Sequence, residues 1–597
     1  GDDLTRWEFW WEFNKDPFIR LREAVRSGGP QTGSDDFYLG AGRKSDAKDS
    51  LRPTEEQIMG EILPALKRSL DDTLERDFDI ISACMVAMAK IGKDHPDFKL
   101  IDVFRNRLKA NNQEIRETAA VALGISGVRP DDAEAQMELL AGLVADNKLG
   151  RDVSEQAEVN ERTRSFAAYG LGLAAYSTSK IELKRKAFEA LKPILAKDNT
   201  SGRNLRVSAI QGISLLNLSS QSEPEKQLLT EALDLLEDYY TRSLGAGDQL
   251  IQAHCPTAIA KLIGQDHERV EHYKELFSLG LQRKEKIKRQ SREIQQSCAL
   301  ALGQLVRPND GKDKKDNPDA EYSKILLDSW HDAKDQQTQY FSMLALGQIG
   351  GSDNRTAILK EFDKAKSLEK PWCALALGVY SFYKYEEQKK ATGSVEREDT
   401  IGQTLFDAFK SEKQPNLLAA LGIAMGLNQY TDAADRMRDK MRETVAQEDL
   451  AGYLCIGLAL MNDTRSTTDI RDVVQESVRR PDLLKQAAIA LGKLGDKSVA
   501  DLLQKMMAEE VGGNLAKLSA IASALGFIGD QRSVAPLKNM LIDSNLSQLS
   551  RAFAAVALGG IADKELLPWN SKIAVNTNYR AAVETLTNRT SGILDIL

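Results

Sequence analysis

This sequence encodes an all-α chain, a right-handed α-solenoid of about thirteen stacked helical hairpins with a non-repeat cap at each end, and three features of it say so. The first is a short string, Ala-Leu-Gly or a near copy, that recurs along the chain. It stands at Ala122-Leu123-Gly124, Ala301-Leu302-Gly303, Ala345-Leu346-Gly347, Ala376-Leu377-Gly378, Ala420-Leu421-Gly422, Ala490-Leu491-Gly492, Ala524-Leu525-Gly526 and Ala557-Leu558-Gly559. Looser copies, such as Gly170-Leu171-Gly172 and Ile210-Gln211-Gly212, fill the gaps. The second feature is spacing. The third residue of successive copies advances by 31 to 48 positions, and the last four steps are 35, 35, 34 and 33. A fixed period of that size marks an array of stacked repeats. The third is a slot five residues before the marker that holds Ala or Cys in eight copies: Cys84, Ala119, Ala167, Cys255, Cys298, Cys373, Ala487 and Ala554.

Each repeat reads as helix, turn, helix. Thr54 and Gln57 have capping-box spacing after Pro53, and Ile58, Ile62, Leu66 and Leu70 follow at helical intervals. A second helix runs from about Asp79 to Ile91 and stops near Gly92. Gly495-Asp496 and Gly529-Asp530 close later repeats, and Val499, Leu502, Leu503 and Met506 open the next first helix. Glycine inside a helix costs about 1 kcal/mol against alanine. Its return at one offset implies that two helices approach too closely there for a side chain. The Ala/Cys slot implies buried free thiols, with the cysteines in separate layers and poorly placed to pair.

The bulk numbers bound the function. With 42% hydrophobic and 28% charged residues over 597, the chain folds and is not a disordered one. A formal charge of -8 lacks the basic stripe of a nucleic-acid binder. No run of about 18 apolar residues could cross a bilayer. GxSxG, P-loop, HExxH and CxxC motifs are absent, and five histidines leave little material for acid–base chemistry.

Ala490 to Leu503 and Ala524 to Leu537 each give Ala-Leu-Gly, an apolar pair, Gly-Asp, then Val and Leu. They resemble the HEAT-repeat superfamily, including its lyase-type variants, and the likeness extends over about residues 55–565. It implies second helices on the concave, partner-binding side. The ends are distinctive: Leu4-Thr5-Arg6-Trp7-Glu8-Phe9-Trp10-Trp11-Glu12-Phe13, then Gly33-Ser34-Asp35-Asp36-Phe37-Tyr38, and at the close Leu567-Pro568-Trp569-Asn570, Asn578-Tyr579-Arg580 and Gly592-Ile593-Leu594-Asp595-Ile596-Leu597. These are similar to a group of exported HEAT-repeat proteins of planctomycete-type bacteria. Members of that group carry an export signal and a Gly/Pro-rich lead-in before the Trp-rich segment, and the resemblance implies a place outside the cytoplasm, in the periplasm or at the cell surface.

The organisation read from the sequence is a Trp-rich head with an extended segment (1–53), a repeat array (54–564) and a tail (565–597). Residues 145–163, 306–321 and 383–400 are insertions. Two readings stand for the head aromatics Trp7, Phe9, Trp10, Trp11 and Phe13: a plug over the open end of the first repeat, or an anchor for a partner. The same pair stands for Ile593, Leu594, Ile596 and Leu597. Arg283, Lys284, Lys286, Lys288, Arg289 and Arg292 form the densest basic run, either a solvated turn or a site for an anionic partner. His267, Glu268, Glu271 and His272 invite a metal, but their spacing of five separates the two imidazoles on a helix. The Asp310–Asp319 loop lacks the EF-hand order of ligands.

The expected function is therefore a non-catalytic scaffold for protein partners, with no catalytic residues, metal or cofactor. The lyase-type likeness implies an alternative, an enzyme or chaperone handling a prosthetic group on a client protein. A third reading is self-assembly as a homo-oligomer through the termini, the aromatic head of one chain docking on the apolar tail of the next.

Overall fold

A computed structural model describes residues 3–27, 51–219, 221–287, 289, 291–308, 317–510 and 514–596. The Gly33–Tyr38 stretch, Lys288, half of the 306–321 insertion (309–316) and Leu597 lie outside them. Among the described residues every regular element is a helix, with one isolated bridge between His95 and Phe98 and no strand. They divide into two compact units. One joins Gly1–Thr54 to Val306–Ile561; the other joins Glu55–Leu305 to Ala562–Leu597. The structure thus adds a division that composition along the chain does not mark.

Each unit is a stack of helical hairpins, the packing of an α-solenoid. In the unit that starts at Glu55 the second helices are Phe78–Ile91, Gln113–Ile125, Glu161–Tyr176, Arg203–Ser214, Cys255–Leu262 and Arg292–Leu305. In the other they are Gln336–Ile349, Lys370–Thr392, Pro415–Asn428, Glu448–Leu460, Pro481–Lys493, Leu515–Ile528 and Gln548–Ile561. Within a unit each second helix packs on the next, and first helices pack outside them.

The recurrent small residues sit at these second-helix contacts. A Cβ on Gly124 would stand 2.3 Å from the Gly170 backbone, one on Gly172 would stand 2.7 Å from Gly212, and one on Gly526 would stand 2.7 Å from the Cα of Ala557. No side chain fits at such distances, so backbone approaches backbone. The dense contact repeated in every layer offsets the local cost of glycine. All five cysteines are buried free thiols, and burial pushes those of Cys298 and Cys455 up to about 12.

The ends of the helices follow local chemistry. Asn112, Asn160 and Asn514 cap second helices by accepting N–H groups of the first turn. Gly92 ends the Phe78–Ile91 helix at φ 67°, a left-handed conformation that glycine adopts freely. Pro64 has no N–H to give the carbonyl four residues back, and the first helix widens there into a π turn over Ile58–Ile62 before continuing as Leu63–Asp72. In later hairpins an arginine on the first helix holds the loop after the second: Arg438 pairs with Asp463 at 3.3 Å and Arg471 with Asp496 at 2.8 Å.

Two insertions become helix. Residues Lys148–Ser154 pack on Ala133–Ala145 where Gly150 meets Gly142, and a Cβ on Gly150 would come 2.2 Å from the Gly142 carbonyl oxygen. The polar stretch from 383 continues the Lys370–Thr392 helix to 23 residues, and the loop beyond returns Glu398 to a buried place between Arg355 and Lys384.

Candidate interaction surfaces

The second-helix row of each unit carries a terminal segment of the chain. On the row from Gln336–Ile349 to Gln548–Ile561 the occupant is the head. Trp7, Trp10 and Trp11 lie on helix Trp7–Asn14 and are buried, at 1%, 6% and 1% exposure, while Phe9 and Phe13 are half-buried. The Trp7 ring meets Tyr453 at 5.0 Å, and its Nε1 donates to the Asn416 carbonyl. Trp11 stacks on Phe18 at 5.8 Å, and Phe18 packs edge-on against Phe382 at 4.8 Å. Arg20 lies over the Phe382 ring and pairs with Glu386 at 3.1 Å. Helix Leu21–Ser27 then lies on Pro481–Lys493 and Leu515–Ile528, and a Cβ on Gly492 would meet Leu21 at 3.1 Å. Leu51 accepts from the Gln531 N–H. The tryptophans thus pack on the second-helix row of later repeats, which corrects the plug over the first repeat. Buried in their own chain, they are also not free partner anchors.

On the row from Phe78–Ile91 to Arg292–Leu305 the occupant is the tail, and hydrogen bonds hold it. It first follows the C-terminal ends of the second helices. Lys564 donates to the carbonyls of Ala89 at 2.9 Å and Ile125 at 2.7 Å, joining two helix ends where exposed carbonyls favour a cation. Lys572 lies over the Tyr176 ring at 4.6 Å. Lys261 donates to the Ile573 carbonyl at 2.7 Å; burial pulls this ammonium down to about 7, while its oxygen acceptors favour the charged form.

The segment then crosses to the N-terminal ends and turns back. Asn578, fully buried, donates to the Glu293 carbonyl at 3.0 Å and the Ser297 hydroxyl at 2.9 Å. His254 Nε2 meets the Ala581 carbonyl at 2.9 Å while its Nδ1 faces Gln211 at 3.2 Å. The carbonyl requires Nε2–H and the Gln211 amide N–H requires an unprotonated Nδ1, so the ring is neutral, and burial holds its pKa down at about 4. Asn204 accepts from the Thr585 N–H, and Arg162 donates to the Ser591 carbonyl at 2.9 Å while paired with Glu117 and Glu584. Between the two rims Trp569, Tyr579, Leu586 and Ile593 are buried at 2% exposure or less. Leu594 and Ile596 are half-buried.

The head rings and Ile593 are enclosed in their own chain. The second-helix row, which the resemblance assigns to partners, is in each unit lined by a segment of the same chain.

The described residues of the basic run have different surroundings. Arg283 caps helix Val270–Gln282 in a left-handed conformation and donates to Gln295; Lys284 and Lys286 are exposed. The Arg289 side chain is 3% exposed. It pairs with Glu285 at 3.0 Å, donates to Gln252 and to the Tyr240 carbonyl, and lies over the Tyr240 ring at 4.6 Å. Arg289 is an internal tether of its loop and no ligand site. His267 accepts from the Arg269 N–H, and His272 pairs with Glu237 at 2.7 Å, so the two imidazoles have separate local partners. Among the described residues no group of three or more His, Cys, Asp or Glu could hold a metal ion, and no helix is long and apolar enough to cross a membrane.

A sequence profile of the PBS lyase HEAT-like repeat matches residues 518–543, the helix Leu515–Ile528 and its neighbour Val534–Ile542. The match supports the HEAT-repeat superfamily and falls on one of the two stretches that carry the resemblance. No curated protein matches the chain. Among solved structures, Kap121p bound to Pho4p aligns with 91% of this chain at 10% identity and a TM-score of 0.34, and the chain spans 56% of its length. The Kap95:Nup1 complex aligns with 89% at 11% identity and a TM-score of 0.34, over 74% of that chain. Neither likeness is close enough to carry an argument about function.

Proposed function

We propose that this chain is a non-catalytic HEAT-repeat scaffold that binds protein partners and works outside the cytoplasm. The observation that carries the binding reading is the row Phe78–Ile91 to Arg292–Leu305, which holds a polypeptide segment by donors aimed at its main-chain carbonyls: Lys261 to Ile573, His254 to Ala581 and Arg162 to Ser591. Side chains that read backbone accept many sequences, which suits a protein-binding array. The inward and paired state of the groups that carry chemistry supports a non-catalytic role. The thiols are buried, His254 is neutral and enclosed, and His272 is tied to Glu237. The extracytoplasmic placement rests on the likeness of both ends to exported planctomycete-type proteins.

The full chain, purified from its native host after mild crosslinking, is expected to carry a reproducible protein partner, with crosslinks mapping to surface residues of the array. A strictly monomeric chain without crosslinks overturns the binding reading. A purified protein with a bound chromophore or metal would favour the handling of a prosthetic group. Cell fractionation tests placement, and recovery with cytoplasmic markers overturns it.

A further inference from the structure

We propose that the second-helix row Phe78–Ile91 to Arg292–Leu305 is a groove that accepts residues 565–596 in trans, and that the partner it fits is the tail of a second copy of this chain. The seated segment is present in the structure and defines what the groove recognises. Its backbone is read at Ile573, Ala581 and Ser591, its amide anchor is Asn578, and its enclosed rings are Trp569 and Tyr579.

A second copy brings the same set, so an exchanged pair remakes every groove contact. The difference in free energy is then confined to the connection and to the lost tethering. That connection is short and indirect. In sequence the tail is separated from the groove by residues 306–561, which belong to the other unit. It leaves that unit at Ile561 and makes its first hydrogen bonds in the groove at Lys564. A tethered segment competes at an effective concentration of the order of millimolar. The closed, one-chain form therefore dominates in dilute protein, and exchange shows when the cis contact is weakened.

The test is complementation between two full-length variants. One carries His254→Ala and Lys261→Ala, leaving a sound tail that its own groove holds poorly. The other carries Asn578→Ala and Tyr579→Ala, leaving a sound groove with a poor tail. Each alone is expected to be monomeric by light scattering, and an equimolar mixture is expected to yield a one-to-one complex. In a second measurement, a synthetic peptide of residues 565–596 should raise the thermal midpoint of the Asn578→Ala/Tyr579→Ala chain by several degrees and leave the His254→Ala/Lys261→Ala chain unmoved. If either double variant does not fold, Lys261→Met and Asn578→Ser replace the pairs in the same design. Two monomers after mixing, or no midpoint shift with the peptide, overturns the proposal. Either result leaves the binding of other proteins untouched.

Discussion

The row that takes the head and the row that takes the tail hold their occupants with different chemistry. On the first, rings do the holding: Trp7 packs on Tyr453, and Phe18, stacked with Trp11 inside the head, packs on Phe382. On the second, the row presents Asn204, His254, Lys261 and Ser297, with Gln211 behind His254, and the tail offers carbonyls, the Asn578 amide, the Thr585 N–H and the Lys564 ammonium. Ring packing is strong per residue and indifferent to protonation. A buried hydrogen-bonded row contributes less net energy per contact, but each broken contact leaves an unsatisfied group, and its titratable members tie docking to pH. Two rows built on one repeat thus differ in what disturbs them.

The largest effect should come from the ring side. Trp7→Ala removes a buried indole and its contact with Tyr453, a change of about 3–5 kcal/mol by the usual cost of large-to-small substitution in a core. Urea unfolding measures it, and amide exchange should quicken first in Glu448–Leu460. A loss below about 1 kcal/mol would mean that the rings contribute little to holding the head.

The pH response should belong to the tail side. Unfolded, the His254 imidazole takes its proton near 6.5; folded, its pKa is held at about 4. In between, the unfolded chain carries the extra proton, so stability is full above about 6.5, falls as pH drops and levels off below about 4. The window corresponds to about 3 kcal/mol. Carboxylates titrate there too, so the informative quantity is the difference between the parent and His254→Gln. The variant should lose much of the slope between pH 6.5 and 4, and identical slopes would remove His254 from the account.

The fold was legible in the sequence because close approach selects side-chain size at one position in every layer, so Gly124, Gly172 and Gly526 repeat in register. The occupants of the rows were not. Trp7 donates to a carbonyl 409 residues away, and His254 meets one 327 residues away. Contacts of that range leave no periodic trace. Trp-rich and apolar ends announced burial without saying where. The division at Leu305–Val306 was hidden for a related reason: the marker step from Gly303 to Gly347 is no longer than several others. Polar residues on second helices were the missed signal. Gln211, Gln296 and Ser297, with His254 at the cap of its helix, are fully or nearly fully buried, and buried polar groups of that kind ask for a polar occupant.

Asn578→Ala sharpens the comparison at a smaller scale. The substitution removes donors to Glu293 and Ser297 and should cost about 1–3 kcal/mol, the range for leaving buried groups unpaired. Faster amide exchange in Cys255–Leu262 and Arg292–Leu305 would show that the tail holds the row as much as the row holds the tail. If only the tail quickens, the row is rigid without it.

The smallest effects separate a basic run from a basic site. Lys284 and Lys286 are exposed, and changing both to Gln should move the thermal midpoint by no more than about 0.5 kcal/mol of stability permits. Arg289→Gln is a different matter although it lies in the same short stretch. It strands Glu285, whose side chain is 7% exposed, and frees the Tyr240 carbonyl, so a cost of about 3 kcal/mol or more is expected from breaking one side of a buried pair. If the lysine pair proved as costly as the arginine, the run would be acting as one charged surface, and the tether argued from the Arg289 contacts would fail.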